Sequence, residues 1–242
     1  MVLSRLTHRK YKRYIVMLVT ARTIDIEIDK NKVYKYLGYD IGSEPPLRME
    51  SLIDEHIKLG NEFICPCTTY TVLDVEFVLG TRAFLEGYVA FDSGVVSQLL
   101  RKCQKVALFV ATIGDDLEYV ACRLAEDGLM LQSTVLESIG SSAVEQAADF
   151  LHERIIDTAK LQGLVASKRR FSPGYCDWNV DQQKQLFEAL DASSVGVELS
   201  ETCLMLPRKS ISGIIGIGLA EHGIENYNPC PACDKSDCTG RR

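Results

Sequence analysis

SIGSSAVEQAADFLHERIIDTAKLQG, residues 138–163, carries the clearest periodicity in the chain. Val144, Ala147, Ala148, Leu151, Ile155 and Ala159 fall on one stripe at helical spacing. Ser141 or Ser142 is the expected N-cap and Gly163 the expected stop. The neighbouring stripe carries Glu145, Asp149 and His152 at i, i+4 and i+7. HERII starts like a zinc-protease helix but has no second histidine four residues on, so His152 reads as a satisfied helix histidine.

On the C-terminal side follows RRFSPGYCDWNVDQQ, residues 169–183. Arginines lead into a Pro-Gly turn, and a tyrosine, a cysteine and the only tryptophan stand beside it. Arg is the natural fork for a carboxylate. A Pro-Gly turn lets backbone approach a ligand. Tyr175 and Trp178 offer ring faces to a base or a flat cation. With Glu145 as acceptor for an ammonium group, these side chains suit a ligand with an amino-acid end, a ring and a positive centre, as S-adenosylmethionine has; from the residues alone the stretch reads equally as an ordinary structural loop. Asn179 with Gln182 resembles a capping pair, and Leu186, Phe187 and Leu190 give the next helix its apolar side.

Farther out, VGVELSETCLMLP and SISGIIGIG read as two strands around a Pro207-Arg208-Lys209 turn. A regular first strand would put Glu201, Cys203 and Met205 on one face. The glycines of SGIIGIG lack dinucleotide-fingerprint spacing and read as small residues packing under something. Toward the N-terminus, KVALFVATIGDD is a buried strand, GVVSQLLRKC a short helix and FICPCTTYTVLDVEF a strand. EPPLRMESLIDEHIKLG is a helix, and TIDIEID a half-exposed strand. The expected fold is a single α+β domain: a twisted, mainly antiparallel sheet with flanking helices, plus a Cys-rich C-terminal tail. The expected boundaries are a basic segment over residues 1–22, the domain over 23–228 and the tail over 229–242.

The 242 residues suffice for a sizeable core, and the net charge of −6 argues against nonspecific nucleic-acid binding. The apolar run YIVMLVTA is far below the ~20 residues of a membrane helix and short for a signal peptide, so no export is expected and a cytoplasmic location is. Nine cysteines are too dispersed for a secreted disulfide scaffold. The tail, NPCPACDKSDCTGRR, holds Cys230, Cys233 and Cys238 in C-x2-C-x4-C spacing. Such a turn aims two thiolates at one centre and a third closes on it. Cys203 is the expected fourth ligand and Cys176 its rival. The expected metal is an iron–sulfur cluster or zinc, with iron–sulfur favoured; a tail of free thiols and a redox dithiol are the alternatives. CPC at Cys65 and Cys67 is weaker, because its thiols would face opposite sides of a strand.

RFSPGY followed by GVELSETCLMLPRKSISG resembles the reactivation domain of cobalamin-dependent methionine synthase. The matching residues are Arg170, Pro173, Gly174, Tyr175, Leu199, Glu201, Met205, Pro207, Ser210, Ser212 and Gly213. VEQAADFLHER resembles the helix preceding the turn in that domain, with Glu145, Leu151 and His152 in register.

The resemblance implies that S-adenosylmethionine is bound by Arg170, Glu145, Ser172, Gly174 and Tyr175, with Arg170 on the ligand carboxylate. It implies reductive remethylation of cobalamin carried by a separate corrinoid methyltransferase, or by a methionine synthase lacking its own activation domain. The chain would be a free-standing component of that activity, not a self-sufficient enzyme, with an electron donor as a further partner. The alternative is a metal or iron–sulfur partner protein that keeps the fold without binding S-adenosylmethionine. The family's aromatic run after Ser-x-Ser-Gly is IIGIG here, and the cysteine tail is foreign to the fused enzyme's pattern.

Overall fold

The structure, a computed structural model, describes residues 24–40 and 42–232. The basic segment over residues 1–22, the apolar run within it, and Cys233 and Cys238 lie outside them. The helices are α1 (Lys30–Tyr36), α2 (Leu47–Asn61), α3 (Gly94–Leu100), α4 (Asp116–Glu126), α5 (Met130–Leu161) and α6 (Gln183–Ala189). The strands are β1 (Cys67–Leu79), β2 (Arg82–Leu85), β3 (Val89–Asp92), β4 (Lys105–Thr112), β5 (Val165–Ala166), β6 (Glu198–Leu199), β7 (Met205–Leu206) and β8 (Ser210–Gly218). Six strands form one antiparallel sheet in the order β3-β2-β1-β4-β8-β5, and β6 and β7 pair separately. This is the α+β architecture expected from the sequence. No helix among the described residues is long and apolar enough to cross a membrane.

The apolar run of β4 is explained by its place at the centre of the sheet. Val106, Leu108 and Val110 enter a core with α3, α6 and Trp178, while Ala107, Phe109 and Ala111 face α5. Both faces are covered, so the usual in–out alternation disappears. Ala107 and Ala111 on the strand meet Ala147 and Ala148 on the helix. Small residues on both sides let α5 lie close to the sheet, and each large side chain sealed there, such as Leu151, contributes about 1.5–3 kcal/mol. A third core joins α1, α2 and α4 to the first half of α5 through Val33, Ile53, Leu117 and Ile139.

That third core explains why α5 starts earlier than its polar cap candidates suggest. The helix runs from Met130, and Ser141 and Ser142 sit inside it. Ser141 Oγ bonds the Glu137 carbonyl one turn back, and Ser142 Oγ reaches Asp29 O on the segment leading into α1. Residues 24–29 keep the alternation of TIDIEID, with Ile24 and Ile28 buried, but form no ladder among the described residues. VGVELSETCLMLP is not one strand: it folds back between β6 and β7, with Cys203 at φ 64°. Glu201 is therefore exposed, Cys203 buried and Met205 half-buried, with no shared face. Gln182 does not close a capping box. Its amide instead exchanges two hydrogen bonds with the backbone of Asp92 at the end of β3.

The glycines of β8 pack under other segments. At Gly213 a Cβ would lie 2.5 Å from Phe171 O and 2.9 Å from Ser172 Oγ. At Gly216 it would lie 2.6 Å from Cys103 Sγ. Gly213→Ala is expected to lower the unfolding free energy by about 2–3 kcal/mol, because backbone cannot yield as a flexible side chain can. Urea denaturation checks this, and an unchanged midpoint contradicts the close approach.

Candidate functional site

β5 covers only the last two residues of β8, pairing Val165 with Gly218 and Ala166 with Ile217. The chain touches β8 once more, at the Phe171–Ile214 bridge, and then departs. Beyond it no strand among the described residues pairs with this edge of β8, and a cavity of about 430 Å³ lies there. Its walls come from α5 (Glu145, Asp149, His152), the 168–178 segment and Ser210 to Ser212 of β8. The 168–178 segment is pinned at several points. Phe171 N donates to Ile214 O and accepts from Ile214 N through its carbonyl, and Ser172 Oγ donates to Ser212 O at 2.6 Å. Gly174, at φ 92°, closes the turn by donating to Trp178 O. Asp177 caps the start of α3, accepting from Ser93 Oγ and Gly94 N, both at 2.6 Å.

Arg170 points at α5. Its guanidinium donates to Asp149 Oδ1 at 2.7 Å and to Glu145 Oε2 at 2.9 Å. Lys32 of α1 reaches the other Asp149 oxygen at 3.0 Å. Burial alone would raise the Asp149 carboxyl, but hydrogen bonds from Arg170 and Lys32 outweigh it and hold the group below the usual carboxylate range. His152 lies one turn farther along α5. Its Nε2 donates to Ser167 O at 2.8 Å, which fixes that nitrogen as the protonated one. Burial lowers its pKa, the Ser167 carbonyl opposes the shift, and the Arg170 charge adds to it.

The structure thus brings Arg170, Glu145, Ser172 and Tyr175 to one cavity, with Gly174 in the turn that shapes it. Cys176 and Cys230 line the same cavity, whereas Cys203, 1% exposed, is not among its lining residues. Among the described residues, no three His, Cys, Asp or Glu side chains gather as a metal site. The aromatic residues divide. Tyr175 is exposed at the rim, but Trp178 is buried with its ring edge-to-face on Phe91, so it does not offer the free stacking face expected of it. Its Nε1 has no acceptor among the described residues.

Sequence reasoning left Lys32, Asp177 and Gln183 unassigned. Gln183 is buried, accepting from Ser212 Oγ and donating to Cys203 O, and so ties β8 to the β6–β7 hairpin. The i, i+4 spacing of Glu145 and Asp149 was the available signal for a shared cationic partner.

An antiparallel sheet backed by one long helix, with an Arg-bearing Pro-Gly turn clamped to that helix's acids beside a cavity, defines the class of α+β domain. The sequence matches the family described as "Vitamin B12 dependent methionine synthase, activation domain" over residues 88–222, more than half of the chain, and the protein belongs to that family. Among solved structures it is similar to "Crystal Structure of the MetH Reactivation Domain bound to AdoHcy", with a TM-score of 0.61 and 14% identity. That match covers 83% of this chain and 76% of the other, and it establishes a common fold. Comparison with curated protein sequences gives no match.

The His152 environment sets a pH dependence. Its folded-state pKa lies below the usual 6.5, so the unfolded chain binds the proton more readily. The contribution is complete above the unfolded value and is lost as the pH falls through the folded one. The thermal midpoint should drop between about pH 7.5 and about pH 5.5, and less steeply in His152→Gln, whose amide can still donate to Ser167 O. Equal slopes in the two proteins would contradict a neutral, buried His152.

Proposed function

We propose that the cavity binds S-adenosylmethionine and that the protein supports reductive remethylation of a corrinoid held by a methyltransferase module outside residues 1–242. The observation that carries this reading is the Arg170–Glu145 ion pair on the cavity wall. A zwitterionic amino-acid end can insert into such a pair without changing the charge of the site. Its carboxylate takes Arg170, its ammonium takes Glu145, and Asp149 keeps Lys32. Neither carboxylate is left buried without a cation, which is the costly outcome.

The cavity volume falls within the range of small-molecule sites. Ser172 and the turn backbone around Gly174 supply polar groups, and Tyr175 supplies a ring at the rim. The indole N–H of Trp178, unmatched among the described residues, is a donor available to an acceptor that enters. The related domain solved with AdoHcy, the demethylated form of the proposed ligand, supports the ligand class.

The family supplies the chemistry. The corrinoid of the partner, once reduced by one electron from another protein, would take the sulfonium methyl and leave S-adenosylhomocysteine. Arg170, Glu145, Ser172 and Tyr175 would bind and orient the sulfonium ligand. The isoleucines of IIGIG are buried in the core, so any adenosine contacts come from elsewhere on the cavity wall.

Calorimetric titration of S-adenosylmethionine into anaerobically purified protein tests the reading. Saturable binding is expected, weakened by about 1.5–3 kcal/mol, roughly 10- to 150-fold, in Arg170→Ala. Glu145→Gln leaves Arg170 paired with Asp149 and should weaken binding as well. Folded wild-type protein that binds nothing would overturn the proposal and favour the partner-protein alternative.

A further inference from the structure

One nitrogen of His152 has a partner and the other does not. Nε2 donates to Ser167 O at 2.8 Å, so Nδ1 of the neutral ring is an acceptor. No described residue donates to it. The residue is 8% exposed and lines the cavity. Nδ1 is not one of the sealed, unmatched side-chain atoms of the core, which are Thr69 Oγ1 and Trp178 Nε1. It therefore opens on the cavity, as a largely buried acceptor that lacks a donor.

The ring is also held in place. Ser167 N donates to Gly216 O at 2.8 Å, and Gly216 N donates to Ser167 Oγ at 3.1 Å. Ser167 Oγ in turn donates to Arg169 O at 2.8 Å. The carbonyl that receives Nε2–H is thus fixed to β8, and the Nδ1 edge keeps one orientation toward the cavity.

Position along α5 selects what can reach that edge. His152 stands seven residues after Glu145, ~10 Å along the helix axis at 1.5 Å per residue. An ammonium group on Glu145 is too far away to donate to it. In S-adenosylmethionine the ribose hydroxyls lie roughly eight bonds from the ammonium nitrogen, about 10 Å when the chain is extended.

We infer that His152 Nδ1 accepts a hydrogen bond from a ribose hydroxyl of the ligand, so that affinity depends on the neutral imidazole. The inference deepens the function proposed above and rests on it. The charged groups facing His152 are Asp149 and Glu153 on α5 and Arg170 across the cavity. Lys168 and Arg169 line the same cavity, as do the titratable Tyr175, Cys176 and Cys230, and β8 presents only Ser210, Ile211 and Ser212. Asp149 stays ionised at mildly acidic pH because its carboxyl is held below the usual range. His152 gains its proton as the pH falls through a folded-state value below 6.5, and the ligand loses its acceptor there.

Calorimetric titration of S-adenosylhomocysteine at pH 7.5 and pH 5.5 tests this in wild type, His152→Gln and His152→Asn. Wild-type affinity should fall at least about threefold at the lower pH. The Gln amide still donates to Ser167 O but leaves no Nδ1 acceptor. It should bind about five- to tenfold more weakly at pH 7.5, without the wild-type pH slope. The Asn carbonyl stands near the Nδ1 position but loses Ser167. It should bind within about threefold of wild type. Of the 2′-deoxy and 3′-deoxy analogues, one should bind wild type more weakly than the parent ligand does, and His152→Gln should not distinguish the two. Nitrogen-15 NMR of histidine-labelled protein should show the Nε2-protonated tautomer, with the Nδ1 resonance moving upfield on saturation.

The reverse order, Gln binding as wild type and Asn weakly, would confine His152 to holding Ser167 and overturn the inference. Equal affinities and pH slopes in the three proteins would do the same. An Nδ1-protonated ring in the ligand-free protein would overturn it whatever the ligand does. Folded wild-type protein that binds no S-adenosylhomocysteine would overturn the proposed ligand, and this contact with it.

Discussion

The Phe171 carbonyl sits where a side chain on Gly213 would begin. That close approach lets the segment after β5 lie against β8, and much of the site follows from it. Phe171 exchanges backbone hydrogen bonds with Ile214, and Ser172 bonds Ser212 O. Once Phe171 is fixed, its neighbour Arg170 is delivered to the acids of α5, and Pro173 begins the turn away from the sheet. A larger residue at 213 would push the turn off the strand and move the guanidinium with it.

The second constraint is electrostatic. Arg170 is largely buried, with 17% of its side chain exposed, between Glu145 and Asp149, and Lys32 completes the charge balance from α1. The cavity wall is therefore held in place by the protein's own charges, which would lower the ordering cost of binding the proposed ligand. It also joins parts of the chain that pack in different cores. α1 belongs to the core around the first half of α5, whereas Trp178 belongs to the core on the opposite side of the sheet. A change at Lys32 would reach the cavity through its ion pair with Asp149.

Much of the fold was legible in the sequence because its strongest signals are local. The apolar stripe of α5 and the helical face of α2 follow from periodicity, and β4 follows from its continuous apolar run. What failed depended on partners distant in sequence. Ser142 reads as a cap until the Asp29 carbonyl is known to lie beside it. The stretch through Cys203 reads as a strand because nothing local announces a reversal there. In the site, Arg170 and Glu145 were legible from residue type and spacing, whereas Lys32 and Gln183 were not. Their partners are set by tertiary packing. Trp178 was assigned a stacking role from its neighbours in sequence, yet burial against Phe91 removes that face.

The most direct measurement of the central claim is a crystal structure of the protein with S-adenosylhomocysteine. The ligand should occupy the cavity between α5 and the Pro-Gly turn, with its carboxylate on Arg170 and its ammonium on Glu145, while Asp149 keeps Lys32. A ligand bound elsewhere, or this cavity empty at saturating concentration with the Arg170–Glu145 pair intact, would contradict the account.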